Sequence, residues 1–380
     1  MPKYRFSEIA INVTDKRMPV PEDKDLYIAP NNLDTDTLSV PEFGYKVDLN
    51  GTKLIMHKGD MLFGRREPQL KKAAIAPHDG LFSAHGMIFH PREEVVTKEF
   101  FPFFISSDYF FDAAIRISVG SLSPTVNWKD LKDLEFNIPD LTAQQEYAKV
   151  LWAMIRAKKA YKELIKKTDD LVKSQFIEMF GDPVENPFGW PTKGLTEIGT
   201  CKNGMNFGAR DQGVIIQSVG VGDIKDYDYI EDIEELTTLS LNEMPSEEYL
   251  LQDGDLVFVR SNGNKNLVGR CVAVYPHGAQ VTFSGFCIRF RKESEAVLLD
   301  YLLRYLKMPE VRAKMAGRGA NIQNLNQKIL AALQVPVPPL NKQTEYVALI
   351  RQSDKSKFAA QQALKEVTDA QKALMKKIFE

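Results

Sequence analysis

Cysteine and histidine are scarce in this chain of 380 residues, three of one and five of the other. Cys201, Cys271 and Cys287 show no Cys-x-x-Cys spacing, which argues against a disulfide framework and fits a reducing compartment, the cytoplasm. His57, His78, His85, His90 and His277 are scattered, so no metal site is expected. The N-terminal MPKYRFSEIA lacks an apolar core, and no apolar run approaches a bilayer's thickness, so neither export nor membrane insertion is expected. Phosphate-binding glycine loops, His-Glu-x-x-His and Gly-x-Ser-x-Gly are absent. Asn186–Trp190 (NPFGW) superficially suggests an adenine methyltransferase loop. It lacks the second proline and no Rossmann glycine fingerprint precedes it, so it reads as a turn. Nothing here points to an enzyme.

What is present is a duplication. Residues 131–148 align with 330–347 without a gap at an offset of 199, with seven of eighteen positions identical. The same offset pairs Gly120 with Gly319, Asn127 with Asn326, Asp170 with Asp369 and Phe180 with Phe379. Charge alternates in step. The net charge is −4 over 1–140, +3 over 141–180, −4 over 181–339 and +3 over 340–380.

Each copy ends in a predicted long helix. Thr142 and Gln145 spell a capping box for the first, and Asn341 is a candidate cap for the second. Without internal proline or glycine, the first helix would run about 57 Å at 1.5 Å per residue. It stops at Gly181 because a second globular copy must begin there. Apolar residues step by four and three along both helices. Leu151, Met154, Tyr161 and Ile165 mark the seam of one, and Ile350, Leu364, Val367 and Leu374 that of the other. Lys158 and Lys357 interrupt it at equivalent places and are expected to set register. The plainer reading is two amphipathic helices on separate cores. The sharper one is an antiparallel coiled coil related by a pseudo-twofold axis.

Between the helices lie β-rich runs, in the second copy VIIQSV (214–219), DLVFVR (255–260), VGRCVAVY (268–275) and TFSGFCIRF (282–290). Helices are expected over 296–307 and near 310–316. In the first copy GDMLFGRR (59–66) matches GDLVFVRS (254–261), and LFSAHGMIF (81–89) matches TFSGFCIRF. The run 96–107 takes the place of the 296–307 helix, bent or divided at Pro102. The expected class is α+β, with two mixed α/β domains (1–140 and 182–339) alternating with two long helices (141–181 and 340–380).

Polar and basic loops follow the matched strands. Arg260, Ser261, Asn262, Asn264, Lys265 and Arg270 lie in one. Arg318, Asn321, Gln323 and Asn324 lie in a later loop. In the first copy Arg65, Arg66, Lys71 and Lys72 hold the position after the strand. Arginine and asparagine pair bidentately with guanine and adenine edges, and lysine and serine suit phosphate. These loops also read as solvated turns. Duplication favours two readers of two half-sites.

Together, SQFIEMFGDPVENPFGW (174–190), the Gly-Asp-hydrophobic-Phe-x-Arg strands (59–65 and 254–260) and the helix starts at 139–147 and 339–346 carry a family resemblance. The chain resembles the DNA specificity subunit of type I restriction–modification systems, over nearly its whole length. The resemblance implies that each globular copy is a target recognition domain reading one half of a bipartite, asymmetric site in double-stranded DNA. The helices would space the half-sites, roughly one helical turn of about 34–36 Å apart. It further implies a non-catalytic chain that assembles with two methyltransferase subunits and with restriction/translocase subunits. S-adenosylmethionine, ATP and magnesium would belong to those partners. Two departures stand out. The first domain has no Asn-Pro-x-Gly-Trp start, and its loop carries Glu67 and Pro68, residue types that the second domain's loop with Gly263 and Asn264 lacks. The alternatives are a single-chain methyltransferase or nuclease, which lacks its motifs here, and a coiled-coil scaffold with degenerate recognition domains.

Overall fold

The computed structural model describes the chain apart from residues 47, 209–212, 225–227, 316–323 and 380 and the side chain of residue 265. It divides into two compact units, Met1–Lys166 with Lys357–Glu380, and Lys167–Ser356. Each unit therefore contains one globular domain and a part of both long helices.

In the first unit a four-stranded antiparallel sheet has the order Ala10–Val13, Gly86–Pro91, Met61–Gly64, Ala73–Ile75. The second unit repeats that order with Gly199–Asn203, Cys287–Lys292, Asp255–Val259 and Cys271–Val274, and adds Tyr229–Ile230 parallel to the last. Each unit also has a three-stranded sheet and a short pair, Lys3–Arg5 with Glu135–Asn137 and Thr192–Gly194 with Gln334–Pro336.

The shared Gly-Asp motif before the central strand has a structural cause. Gly59 and Gly254 sit at φ +96° and +86°, where side chains are strained. The aspartate that follows folds the turn back. Asp60 accepts from the His57 amide at 2.7 Å and Asp255 from the Gln252 amide at 2.8 Å. Each also pairs with the adjacent strand, Asp60 with His90 Nε2 at 2.6 Å and Asp255 with Arg291 through two bonds of 2.7 and 2.8 Å.

The run TFSGFCIRF is two strands, Val281–Phe283 in one sheet and Cys287–Lys292 in another, joined by a tight turn. The first copy breaks likewise into Gly80–Phe82 and Gly86–Pro91. Pro102 does not divide a helix. It lies in the first turn of Phe101–Ser106, where a missing amide costs nothing, and the break comes at Ser107, which caps the next helix by accepting from the Phe110 amide at 3.1 Å.

The long helices run Leu141–Phe180 and Leu340–Phe379. Neither starts as the capping signals suggest. Asp140 caps the first, its Oδ1 accepting from the Ala143 amide at 2.9 Å, and Asn341 lies inside the second. In the first unit Leu151 and Ile155 share a core with Ile378 and Phe379, while further along Lys158 Nζ donates to Gln371 Oε1 at 2.9 Å. Ascending one helix thus descends the other, and the two pack antiparallel. Leu151 and Ile350 are buried, and Met154, Tyr161, Ile165, Leu364, Val367 and Leu374 are half-buried. A second stripe, Ala148, Ile155, Phe176 and Phe180, is buried too. It widens the apolar side of the first helix, which packs into the core of the first unit through Ala148, Leu151 and Ile155 and into that of the second through Phe176 and Phe180.

The central helix ends as its sequence suggests. Gly181 has φ +82°, and its amide donates to the Ile177 carbonyl at 2.8 Å. Asp182 Oδ1 accepts from the amides of Val184 and Glu185, and these bonds hold its carboxyl below the usual range. Asn186 closes NPFGW on itself through the Trp190 amide (3.0 Å) and carbonyl (2.8 Å), and the indole donates to the Phe180 carbonyl at 3.1 Å. This segment is a turn.

Candidate nucleic-acid interface

Both domains present an arginine where the central strand of the larger sheet ends. In the first, the Arg65 carbonyl accepts from the Val126 amide at 2.9 Å. In the second, the Arg260 carbonyl accepts from the Leu325 amide at 2.9 Å. The late loop of each domain is thereby tied to the strand end, as the duplication requires.

In the first domain Arg65 is half-buried, and its Nη2 donates to Asn127 Oδ1 at 3.0 Å. Arg66 is exposed beside Thr125. Glu67 and Lys71 adopt left-handed backbone, at φ +50° and +47°, which turns the chain sharply around Pro68. That turn separates the two lysines. Lys71 is directed at Asp108 and lies 3.7 Å from Asp112, whereas Lys72 donates to the Leu33 carbonyl at 3.2 Å. Arg66 and Lys72 line a cleft of about 390 Å³ with Lys53, His85, Tyr27 and Tyr45. Burial lowers the His85 pKa, and the positive charges of Arg66, Arg65 and Lys53 lower it further. Asp48 and Glu67 line the cleft too, and Tyr27 is buried against Tyr45, so its charge is mixed and the chemistry it offers is that of Arg66, Lys72 and Lys53 toward a phosphate backbone. Lys53, Tyr27, Tyr45 and His85 were not among the expected site residues. Only His85 carries a local signal, its place in the strand run that matches between copies.

In the second domain Arg260 is half-buried, with Nη1 donating to the Gly285 carbonyl at 3.2 Å and its amide to the Phe286 carbonyl at 2.8 Å. Ser261 is half-buried, and its amide reaches the same Phe286 oxygen at 3.3 Å. Asn262 Oδ1 accepts from the Asn264 amide at 2.8 Å, and Asn264 Oδ1 from the Asn266 amide at 3.0 Å, so two successive asparagines fold the loop. Arg270 is half-buried, its carbonyl accepting from the Val259 amide at 2.8 Å. Asn324 is exposed and adjoins Leu325 at the strand end. Arg260, Ser261, Asn262 and Asn324 thus gather in one place. Arg318, Asn321 and Gln323 lie outside the described residues, as does the Lys265 side chain.

Among the described residues there is no cluster of three or more His, Cys, Asp or Glu able to hold a metal ion. Among them, too, no helix is long and apolar enough to cross a membrane.

Two α+β domains with one strand order, each sharing a pair of long helices, define the class of fold. Among the solved structures that share it are two. One is the S subunit of a type I restriction-modification system from M. genitalium, at TM-score 0.58 and 14% identity, covering 100% of this chain and 96% of that one. The other comes from a study of complex assembly in a type I R-M system, at TM-score 0.54 and 19% identity, covering 100% and 97%. Residues 28–167 and 190–368 match the type I restriction modification DNA specificity domain, and the chain belongs to that family. Among its relatives, the StySPI specificity subunit of Salmonella potsdam is 23% identical over 76% of this chain and 66% of its own length. The EcoKI specificity subunit of Escherichia coli K12 is 23% identical over 80% and 69%. A putative MjaX specificity subunit of Methanocaldococcus jannaschii is 27% identical over 41% and 36%. The matches therefore span from about a third to two thirds of these relatives' lengths.

Proposed function

We propose that this chain is the sequence-specific DNA-binding subunit of a type I restriction–modification complex and is itself non-catalytic. The observation that carries this is the duplicated strand end, an arginine whose carbonyl is tied to a late loop by the same 2.9 Å bond in both domains. Two copies of one reader suit a bipartite site. Domains 1–140 and 182–339 each read one half of it. Arg65, Arg66 and Lys72 contribute in the first, and Arg260, Ser261, Asn262, Arg270 and Asn324 in the second. Lys265, Arg318 and Asn321 are assigned on sequence alone. Helices 141–181 and 340–380 set the gap between half-sites, which their uninterrupted length supports. Partners are two methyltransferase subunits using S-adenosylmethionine and restriction/translocase subunits using ATP and magnesium, all in the cytoplasm. Both domains are net acidic, so positive potential is local and the partners add nonspecific affinity.

The test is base-resolution methylation sequencing of host DNA with and without this gene, the modification partner being expressed. Loss of N6-methyladenine from one bipartite motif on deletion is expected. An unchanged methylome overturns the proposal in favour of a scaffold.

A further inference from the structure

One turn recurs in both domains with a different residue at its tip. In the first domain the Gly86 amide donates to the Ser83 carbonyl at 3.0 Å, and the His85 amide to Ser83 Oγ at 3.2 Å. In the second the Cys287 amide donates to the Ser284 carbonyl at 2.8 Å, and the Phe286 amide to Ser284 Oγ at 3.3 Å. The preceding Phe82 and Phe283 are both fully buried. Anchor and turn are therefore held constant, while the exposed tip is His85 in one copy and Phe286 in the other.

Both tips adjoin the strand-end arginines. Gly64 pairs with Gly86 and Val259 with Cys287 as the last register of the two strands, so tip and arginine leave the sheet side by side. Phe286 is 61% exposed. Leaving a phenylalanine ring in water forgoes roughly 2 kcal/mol of burial, and here the turn that holds it out is repeated in the other domain and packs against Arg260, whose Nη1 donates to the Gly285 carbonyl. A protruding ring beside a guanidinium fits a major-groove contact, where phenylalanine meets the methyl of thymine and arginine meets guanine or phosphate. Burial first, and then the charges of Arg66, Arg65 and Lys53, favour the neutral form of His85, able to donate or accept a hydrogen bond.

Building on the DNA-reading role above, we propose that the turn tip determines specificity in each domain. Phe286 selects a thymine through its methyl group, and His85 reads a base edge by hydrogen bonding. The test is the methylated motif of host strains carrying Phe286→Ala, Phe286→Met or His85→Ala in the full-length gene, with melting of each purified chain. Phe286→Ala should cut the preference for thymine at one position of one half-site roughly tenfold, with the other half unchanged. Phe286→Met, which keeps an apolar tip, should retain it, and this variant decides if the alanine variant does not fold. His85→Ala should relax one position in the opposite half. An unchanged motif, relaxation of both halves together, or loss of all methylation by a normally folded variant overturns the inference. A wild-type strain without any bipartite motif would instead refute the DNA-reading role beneath it.

Discussion

Gln144 and Gln343 stand in the same relation to the two domains. Each is fully buried, and each donates to the prolyl carbonyl five residues before it, Pro139 at 2.8 Å and Pro338 at 2.7 Å. Each also bridges the approach to the next helix. Gln144 donates to Val95 and accepts from the Thr97 amide, and Gln343 donates to Ala296 and accepts from the Leu298 amide. Replacing either with alanine strands several buried polar groups, at a cost of about 3 kcal/mol. Hydrogen exchange should show the loss in the unit that contains the substitution, with the other unit unaffected.

Lys158 is 1% exposed, paired with Asp36 and bonded to Gln371. Lys357, its counterpart by repeat, is only half-buried. Asp36→Asn should cost about 2–3 kcal/mol in urea unfolding, below the figure for a fully buried pair because Asp36 is partly exposed. Lys158→Met should cost less, since it removes the buried charge as well.

The same pair has a pH signature. Burial raises the Asp36 pKa, but Lys158 and Lys162 outweigh it and hold the carboxyl below its ordinary value. Its stabilisation is then complete above about pH 4 and is lost as pH falls through the depressed value. Wild type should lose more stability than Asp36→Asn as the pH falls below about 4. Parallel acid titrations of thermal unfolding would contradict this.

Burial pushes the Cys201 thiol to about 11 and those of Cys271 and Cys287 to about 12. At pH 8 little thiolate forms in the folded chain. Iodoacetamide should label all three within minutes in denaturant and far more slowly in the native protein, as intact mass would record.

A β-carbon on Gly181 would lie 2.6 Å from Pro187 Cγ, at a φ of +82°. Gly181→Ala should destabilise by about 2 kcal/mol or more, read as a lower melting temperature.

Lys71 and Arg66 lie in one loop but face different ways. Arg66→Ala should weaken DNA binding by the assembled complex and flatten its salt dependence, whereas Lys71→Ala, already turned toward Asp108, should leave both nearly unchanged. Equal losses would put Lys71 in the interface.

Periodicity along the chain made the helices and the duplication legible, because those signals are local and repeat. The strand-end arginines were legible for the same reason. What escaped was contact between distant segments. Nothing near Lys158 announces Asp36, and Lys53, Tyr27 and Tyr45 reach the Arg66 cleft from separate strands and loops. Local chemistry misled where two residues competed for one task. Asp140 caps the central helix in place of Thr142, and Ser107 breaks the helical run that Pro102 merely opens.

Phe379 closes the first domain's core, stacked on Tyr109 at 5.4 Å and touching Phe100 and Phe104. Translation therefore reverses the order of completion. The second unit, contiguous over Lys167–Ser356, has all its residues while the first still waits for Lys357–Glu380. During synthesis the N-terminal domain carries an open aromatic face longest. A frameshift just before the codon for Phe379 would damage the part of the molecule made first.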